Sequence, residues 1–251
     1  MSMLFLTNNK FNTTTQAVVG TYNSVTVFHA VDRIPSTQWV TTGYGTSTST
    51  VFSIELGSST SISKIYLQNH NLKQFRIFYN SVTANVFTPA ISETTNSATS
   101  NYFSVATTAV SSVQIQVDLA TTADTEKAIG DIYIGDVMIN FERNPSSANY
   151  MPILKKDRVI HRMPNEGVSV FVGNQKFKAE ISWKYVSNSF TSQLLNLYET
   201  NTAFYFVPFP TTTGWDGHGY QMVWTNNFDF KYSDNNMSAG QGGKIVLEET
   251  A

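Results

Sequence analysis

Val51-Phe52-Ser53-Ile54-Glu55-Leu56 stops at Gly57, and after a Ser/Thr stretch Ile62-Ser63-Lys64-Ile65-Tyr66-Leu67 takes over. In the first segment apolar residues alternate with polar ones, the period of a strand with two different faces. Gly57 to Ser61 reads as a polar loop between two strands. The same reading extends outward. Val25 to Ala30 alternates upstream. Downstream come Phe75 to Tyr79, Tyr102 to Val105, the strict period two of Val113-Gln114-Ile115-Gln116-Val117, and Ile132-Tyr133-Ile134. Thr, Val, Tyr, Phe and Ile suit a pleated, half-buried surface. Short strands separated by Ser/Thr/Asn loops, with no strong helical period between them, predict a β-sandwich or jelly roll.

The texture changes near Phe141-Glu142-Arg143-Asn144-Pro145-Ser146-Ser147, a turn-rich stretch. Residues 1–140 hold six basic and eight acidic residues, whereas residues 141–251 hold ten of each in a shorter span. The expected division is therefore one domain over 1–140 and a second over 141–251. In the second, Val168 to Val172 and Lys176 to Tyr185 read as a hairpin about Gly173-Asn174, a favourable turn pair. Ser189 to Thr200 is the helix candidate. Phe190, Leu194, Leu197 and Tyr198 share one face, and Ser187 or Ser189 is available as N-cap. Phe204 to Val207, Tyr220 to Trp224, Phe228 to Tyr232 and Lys244 to Glu248 read as further strands. The fold class is all-β: a sandwich followed by a second, mainly-β domain with one short helix.

Composition excludes several functions. The 251 residues carry 16 basic and 18 acidic side chains, a net charge of −2, which is not the basic surface of a nucleic-acid binder. There is no cysteine, so disulfides, thiolate catalysis and Cys-based metal sites are ruled out. The chain shows no Gly-x-Ser-x-Gly, His-Glu-x-x-His, P-loop or Gly-x-Gly-x-x-Gly. The four histidines, His29, His70, His161 and His218, are scattered. No catalytic residue, metal site or cofactor is expected. The apolar run Met3 to Leu6 is too short for a signal peptide and no stretch is long enough to span a bilayer, so synthesis in a cytoplasm without membrane insertion is expected.

Five segments, in order, resemble the discoidin (factor 5/8 type C, galactose-binding-like) family. They are Ala30-Val31-Asp32 with Thr37-Gln38-Trp39; Phe52 to Gly57; Ile62, Ile65 and Leu67; Phe75-Arg76-Ile77 with Tyr79-Asn80; and Ile129-Gly130-Asp131-Ile132. The similarity covers about residues 20–136. Glu55 stands where the family's strand has Asp, and the disulfide of many animal members is missing. The resemblance implies a discoidin-like jelly roll whose loops often bind glycans. Residues 129–145, the Ile181-Ser182-Trp183 strand, the Leu194/Leu197 helix, Phe204 to Pro208 and the last two strands are similar, more loosely, to bacteriophage tail and baseplate proteins. That implies a structural role in a tail tip, baseplate or similar particle. Its partners would be other particle proteins and copies of the chain itself, as a homo-oligomer. Its place would be the virion, after assembly in the host cytoplasm. The alternative is a carbohydrate-binding module for host or substrate recognition.

The ligand-binding candidates are Tyr22, Asp32, Trp39, Tyr44 and His70. Asp32 and Trp39 read either as a loop touching a ligand or structural cation, or as a buried Trp with an Asp accepting loop hydrogen bonds. Tyr22, Tyr44 and His70 read either as loop aromatics that stack on a sugar or as ordinary packing. Lys155, Lys156, Arg158, His161 and Arg162 form the densest basic stretch, read as a solvated segment or the rim of a subunit contact rather than a phosphate site. Trp215-Asp216-Gly217-His218-Gly219-Tyr220 reads as a tight loop joining strands.

Overall fold

The computed structural model describes residues 3–11, 16–19, 24–32, 37–41, 49–79, 91–123, 125–136, 138–146, 148–163, 167–208, 219–232 and 240–250. The strands are β1 (Leu4–Leu6), β2 (Gln16–Val19), β3 (Trp39–Val40), β4 (Thr50–His70), β5 (Leu72–Tyr79), β6 (Ile91–Glu93), β7 (Asn101–Ala120) and β8 (Ala128–Gly135). They continue with β9 (Met138–Asn140), β10 (Tyr150–Arg162), β11 (Val168–Val186), β12 (Phe204–Val207), β13 (Tyr220–Trp224), β14 (Phe230–Tyr232) and β15 (Gln241–Glu249). One α-helix, α1 (Asn188–Thr200), and one 3₁₀ helix, Ser24–Ala30, complete the described elements. Among the described residues the chain is all-β, with two sheets and a single short α-helix, as its alternation predicts.

The chain divides into two units. One takes in Leu6–Met138 and Val207–Gly219; the other takes in Ser2–Phe5, Ile139–Phe206 and Tyr220–Ala251. The first carries the seven-stranded sheet, with order β3-β8-β4-β7-β5-β6 and β2 paired to β4. Two long strands organise it. The first part of β4 lies between β2 and the second part of β7, with Phe52 opposite Ile115. The second part of β4 lies between β8 and the first part of β7, with Ile65 opposite both Ile134 and Phe103. Register shifts at Glu55/Thr60 and Ile62/Lys64 let both strands bend. Side chains from both parts, Phe52, Ile54, Ile62, Ile65, Leu67, Ile115, Ile129 and Ile132 among them, then meet in one core.

Two expectations are corrected here. The Gly57–Ser61 stretch is not a loop between strands. It stays inside β4, where residues 56–59 face a single residue of β7 and are taken up as irregular pairing. Val25 to Ala30 is not a strand but a 3₁₀ turn: Val27 and Ala30 are buried three residues apart, whereas Phe28 is 43% exposed. A two-residue period and a three-residue period are hard to separate over six residues.

The second unit carries the eight-stranded sheet, with order β10-β11-β15-β13-β12-β1-β9 and β14 on β15. Its core is aromatic. Phe5 meets Phe141 and Phe204 edge to face at 4.9 Å, and Phe141 meets Trp183 at 5.2 Å. Phe177 stacks on Tyr220 with centroids 3.7 Å apart. The helix forms as expected: the Ser187 hydroxyl accepts from the Phe190 N–H at 3.1 Å, and Phe190, Leu194 and Leu197 turn inward. Asn201 closes it in the left-handed region, φ 47°.

The hairpin expected about Gly173-Asn174 is not formed. Val168–Val186 is one continuous strand whose partner is β10, read from Tyr150↔Ile181 to Arg162↔Val168. Lys156 faces Gln175 and Arg158 faces Val172, so Gly173-Asn174 oppose one residue of β10 and form a bulge. A glycine inside a strand serves a bulge as readily as a turn, and a long partner upstream decided between them.

Candidate functional site

Three of the five residues singled out in the sequence are described; Tyr22 and Tyr44 lie outside the described residues. Trp39, Ile129 and His70 are cross-strand neighbours, because Ile129 is paired to both of the others. Residues directly opposite in antiparallel strands share a face, and here it is the core face: Trp39 and Ile129 are 0% exposed and His70 is 2%. Trp39 packs edge-on against Phe52 at 5.1 Å. His70 lies edge-on to Phe75 at 5.9 Å, and its Nδ1 accepts from the Leu72 N–H at 3.2 Å. Burial pulls its imidazole down to about 4, opposed by Asn101, so the ring is neutral near pH 7. Trp39 and His70 thus plug the sandwich end from within.

Asp32 has a different task. It accepts from the Thr37 hydroxyl at 2.7 Å and so ties the end of the 3₁₀ helix to the residues that enter β3. Neighbouring segments are pinned in the same way. Gln38 Nε2 donates to the Asn69 carbonyl at 3.0 Å, and Asn71 Nδ2 donates to the Glu126 carbonyl at 2.7 Å. Lys127 N–H donates to the Thr41 hydroxyl at 2.9 Å. Asn69 sits in the left-handed region at φ 52°, and a Cβ on Gly130 would lie 2.9 Å from the Asn69 Cβ. The result is a stiff end to the sandwich, built by side-chain-to-backbone bonds across four segments.

The second unit contains a feature that sequence reading missed. A groove of about 310 Å³ is lined by Trp183, Lys184, Tyr185, Lys231, Tyr232 and Gly242. Its origin is local. Trp183 pairs with Gly243 and Val186 with Gln241, so Lys184 and Tyr185 together oppose Gly242 alone. This bulge turns two successive side chains outward, which a regular strand does not do. Across β15, Lys231 pairs with Gly242 and Tyr232 with Gln241. Gly242, lacking a side chain, lies between the two tyrosine-bearing strands. Tyr185 is 46% exposed and Tyr232 is 44% exposed. Trp183 is buried beside them, its Nε1 donating to the Arg143 carbonyl at 3.1 Å. Two half-exposed phenol rings offer apolar ring faces and hydroxyls in one small trough, beside two ammonium groups of which Lys231 is ion-paired with Asp229 at 3.2 Å. Tyr232 belonged to an expected strand and Tyr185 to an expected hairpin arm; no sequence signal marked the bulge that exposes them.

Among the described residues no group of three His, Asp or Glu side chains converges as a metal ion requires. No helix among them is long and apolar enough to cross a membrane. Trp215, Asp216, Gly217 and His218 lie outside the described residues. Gly219, which follows them, donates its N–H to the Tyr66 hydroxyl at 2.5 Å, and its carbonyl accepts from Gln68 Nε2 at 3.0 Å.

No protein-family model and no curated protein matches the chain. Among solved structures it is similar to chitosan-binding module 1 of a Paenibacillus sp. IK-5 chitosanase/glucanase. The identity is 13% and the TM-score 0.44, over 51% of this chain and 98% of that one. It is similar to the lectin domain of lectinolysin in complex with Lewis B antigen, at 14% identity and TM-score 0.42, over 53% of this chain and 99% of that one. It is also similar to a Ruminococcus gnavus GH29 fucosidase in complex with fucose, at 15% identity and TM-score 0.43. There the likeness covers 54% of this chain and 27% of that one.

Proposed function

We propose that the chain is a non-catalytic carbohydrate-recognition protein. The observation that carries this reading is the groove at the β11 bulge, where Tyr185 and Tyr232 flank Gly242 with Lys184 and Lys231 beside them. Flat apolar rings match the C–H faces of a sugar, and the lysines supply donors for hydroxyl or acidic substituents. The discoidin-like segments of the first unit add support. Their Trp39, Phe52 and Ile129 are core residues of a sandwich with a pinned end, the arrangement on which recognition loops are carried. Tyr22 and Tyr44 are the candidates there. The test is a glycan array probed with the wild-type chain, a Tyr185→Ala/Tyr232→Ala variant and a Tyr44→Ala variant. Saturable binding lost in the double variant supports the groove, and loss in Tyr44→Ala alone moves the site to the first unit. Absence of binding on acidic and neutral glycans alike refutes the reading.

A second reading, a structural part of a phage tail, baseplate or similar particle, is favoured by one observation. Nine exposed large apolar side chains lie between Met151 and Phe171, on β10, on Met163 and on the first part of β11. Surface of that kind belongs to a chain that is covered in its working state.

A further inference from the structure

The distal parts of β10 and β11 have no other strand beside them among the described residues. β15 pairs with β11 only from Lys178 to Val186, while β11 continues to pair with β10 back to Val168. From about residue 155 outward the sheet is therefore a two-stranded ribbon, roughly 30 Å long at ~3.3 Å per residue. An isolated two-stranded ribbon is marginal in water.

Both faces of this ribbon are apolar and exposed. Val159 is paired with Phe171 on one face, and they are 55% and 62% exposed. Ile160 is paired with Val170 on the other, at 59% and 50%. Val168, opposite Arg162, adds 59% on that second face. Nearer the sheet, Leu154 is 63% exposed and Ile153 is 44%. A strand with one solvent face alternates apolar and polar residues; this ribbon does not, so neither face is built to stay in water. Six exposed apolar side chains lie on the ribbon itself, and Met151, Ile153 and Leu154 continue the surface at its base; at on the order of 90 Å² each, the nine together present roughly 800 Å², the area one partner contributes to a standard stable interface.

Charge selects the occupant. Residues 150–177 hold five basic and two acidic side chains, whereas the rest of the chain holds eleven basic and sixteen acidic ones. A ribbon of charge +3 belongs to a chain whose remainder is −5. Two ribbons laid on each other would repel, but a ribbon laid on the remainder of another molecule is attracted. We propose that the β10–β11 ribbon is an exchange arm that docks on the body of a second copy of this chain, which gives a head-to-tail, closed homo-oligomer. This extends the assembly reading and is independent of glycan binding.

Two measurements test it. In the first, light scattering coupled to size exclusion at about 100 μM compares the wild type with two variants. One is Ile160→Asp/Phe171→Asp. In the other, residues 157–174 are replaced by Asn-Gly, which joins the paired Lys156 and Gln175 through a two-residue turn. The wild type is expected as an oligomer that weakens as salt rises, and both variants as monomers that still unfold cooperatively in urea. A monomeric wild type, a hetero-complex in place of self-association, or an oligomer that survives arm removal overturns the proposal. The second uses the wild type alone: amide exchange across residues 155–163 and 168–176 should slow at least tenfold between 1 and 100 μM. Exchange independent of concentration overturns the proposal even if the variants do not fold. A glycan-array result of either sign leaves these outcomes unchanged.

Discussion

Acidification should destabilise the first unit through His70. The imidazole is 2% exposed, and burial holds it at about 4 against an unperturbed 6.5. In the unfolded chain it takes up a proton near pH 6.5, whereas in the folded one it resists down to about pH 4. The stability associated with the neutral ring is therefore complete above about pH 6.5, falls as pH is lowered, and is spent near pH 4. A shift of about 2.5 units, at about 1.36 kcal/mol each, is worth roughly 3 kcal/mol, of which about 2.5 kcal/mol is lost between pH 7 and pH 4.5. His70→Asn is the control. An Asn at this position can accept the Leu72 N–H as His70 Nδ1 does and has no proton to gain. Urea unfolding of both proteins at pH 7 and 4.5 separates the cavity cost, which is the same at both pH values, from the titration. The wild type should lose about 2.5 kcal/mol more than the variant over that interval. Equal losses in the two proteins would refute the assignment of His70 as a buried neutral ring.

Further predictions follow from the packing. Trp39→Ala removes a fully buried ring that touches Phe52 and should cost about 3–5 kcal/mol of unfolding free energy in urea. Ser187→Ala leaves the Phe190 N–H without its cap and should cost about 1 kcal/mol, seen as a drop in the thermal midpoint of a few degrees. Gly243→Ala places a Cβ 2.6 Å from Phe230 Cγ and 2.8 Å from the Asp229 carbonyl oxygen. It should destabilise by about 1–3 kcal/mol and loosen β14 from β15, detectable as faster amide exchange at Lys231 and Tyr232.

The elements legible in the sequence are those whose period is long enough to count. Val113 to Val117 shows strict alternation and puts Val113, Ile115 and Val117 in the core. The helix face Phe190, Leu194, Leu197 repeats over about two turns and is buried as expected. What sequence hid was set by partners. Whether Gly173-Asn174 turns the chain or bulges a strand depends on β10, some twenty residues upstream. Lys64 and Tyr66 lie out of phase with the buried Ile65 and Leu67 yet are themselves buried; Lys64 donates to the Ser104 hydroxyl at 2.8 Å, and Tyr66 is engaged by Gly219. Chemistry alone marks the candidate loop residues, and two of them, Trp39 and His70, face inward because their register with Ile129 puts them on the core face. Tyr185 escaped notice because a single unpaired step, not its neighbours in sequence, turns it outward. In the basic stretch Lys155 to Arg162 the charges hid the exposed Val159 and Ile160 between them.

Affinity electrophoresis under native conditions, through gels cast with soluble neutral or acidic polysaccharides, tests the recognition reading most directly. The account predicts that the wild-type chain is retarded in at least one of these gels, and that Tyr185→Ala/Tyr232→Ala migrates there as it does in a blank gel. Unretarded migration of the wild type in every gel, or equal retardation of both proteins, would contradict it.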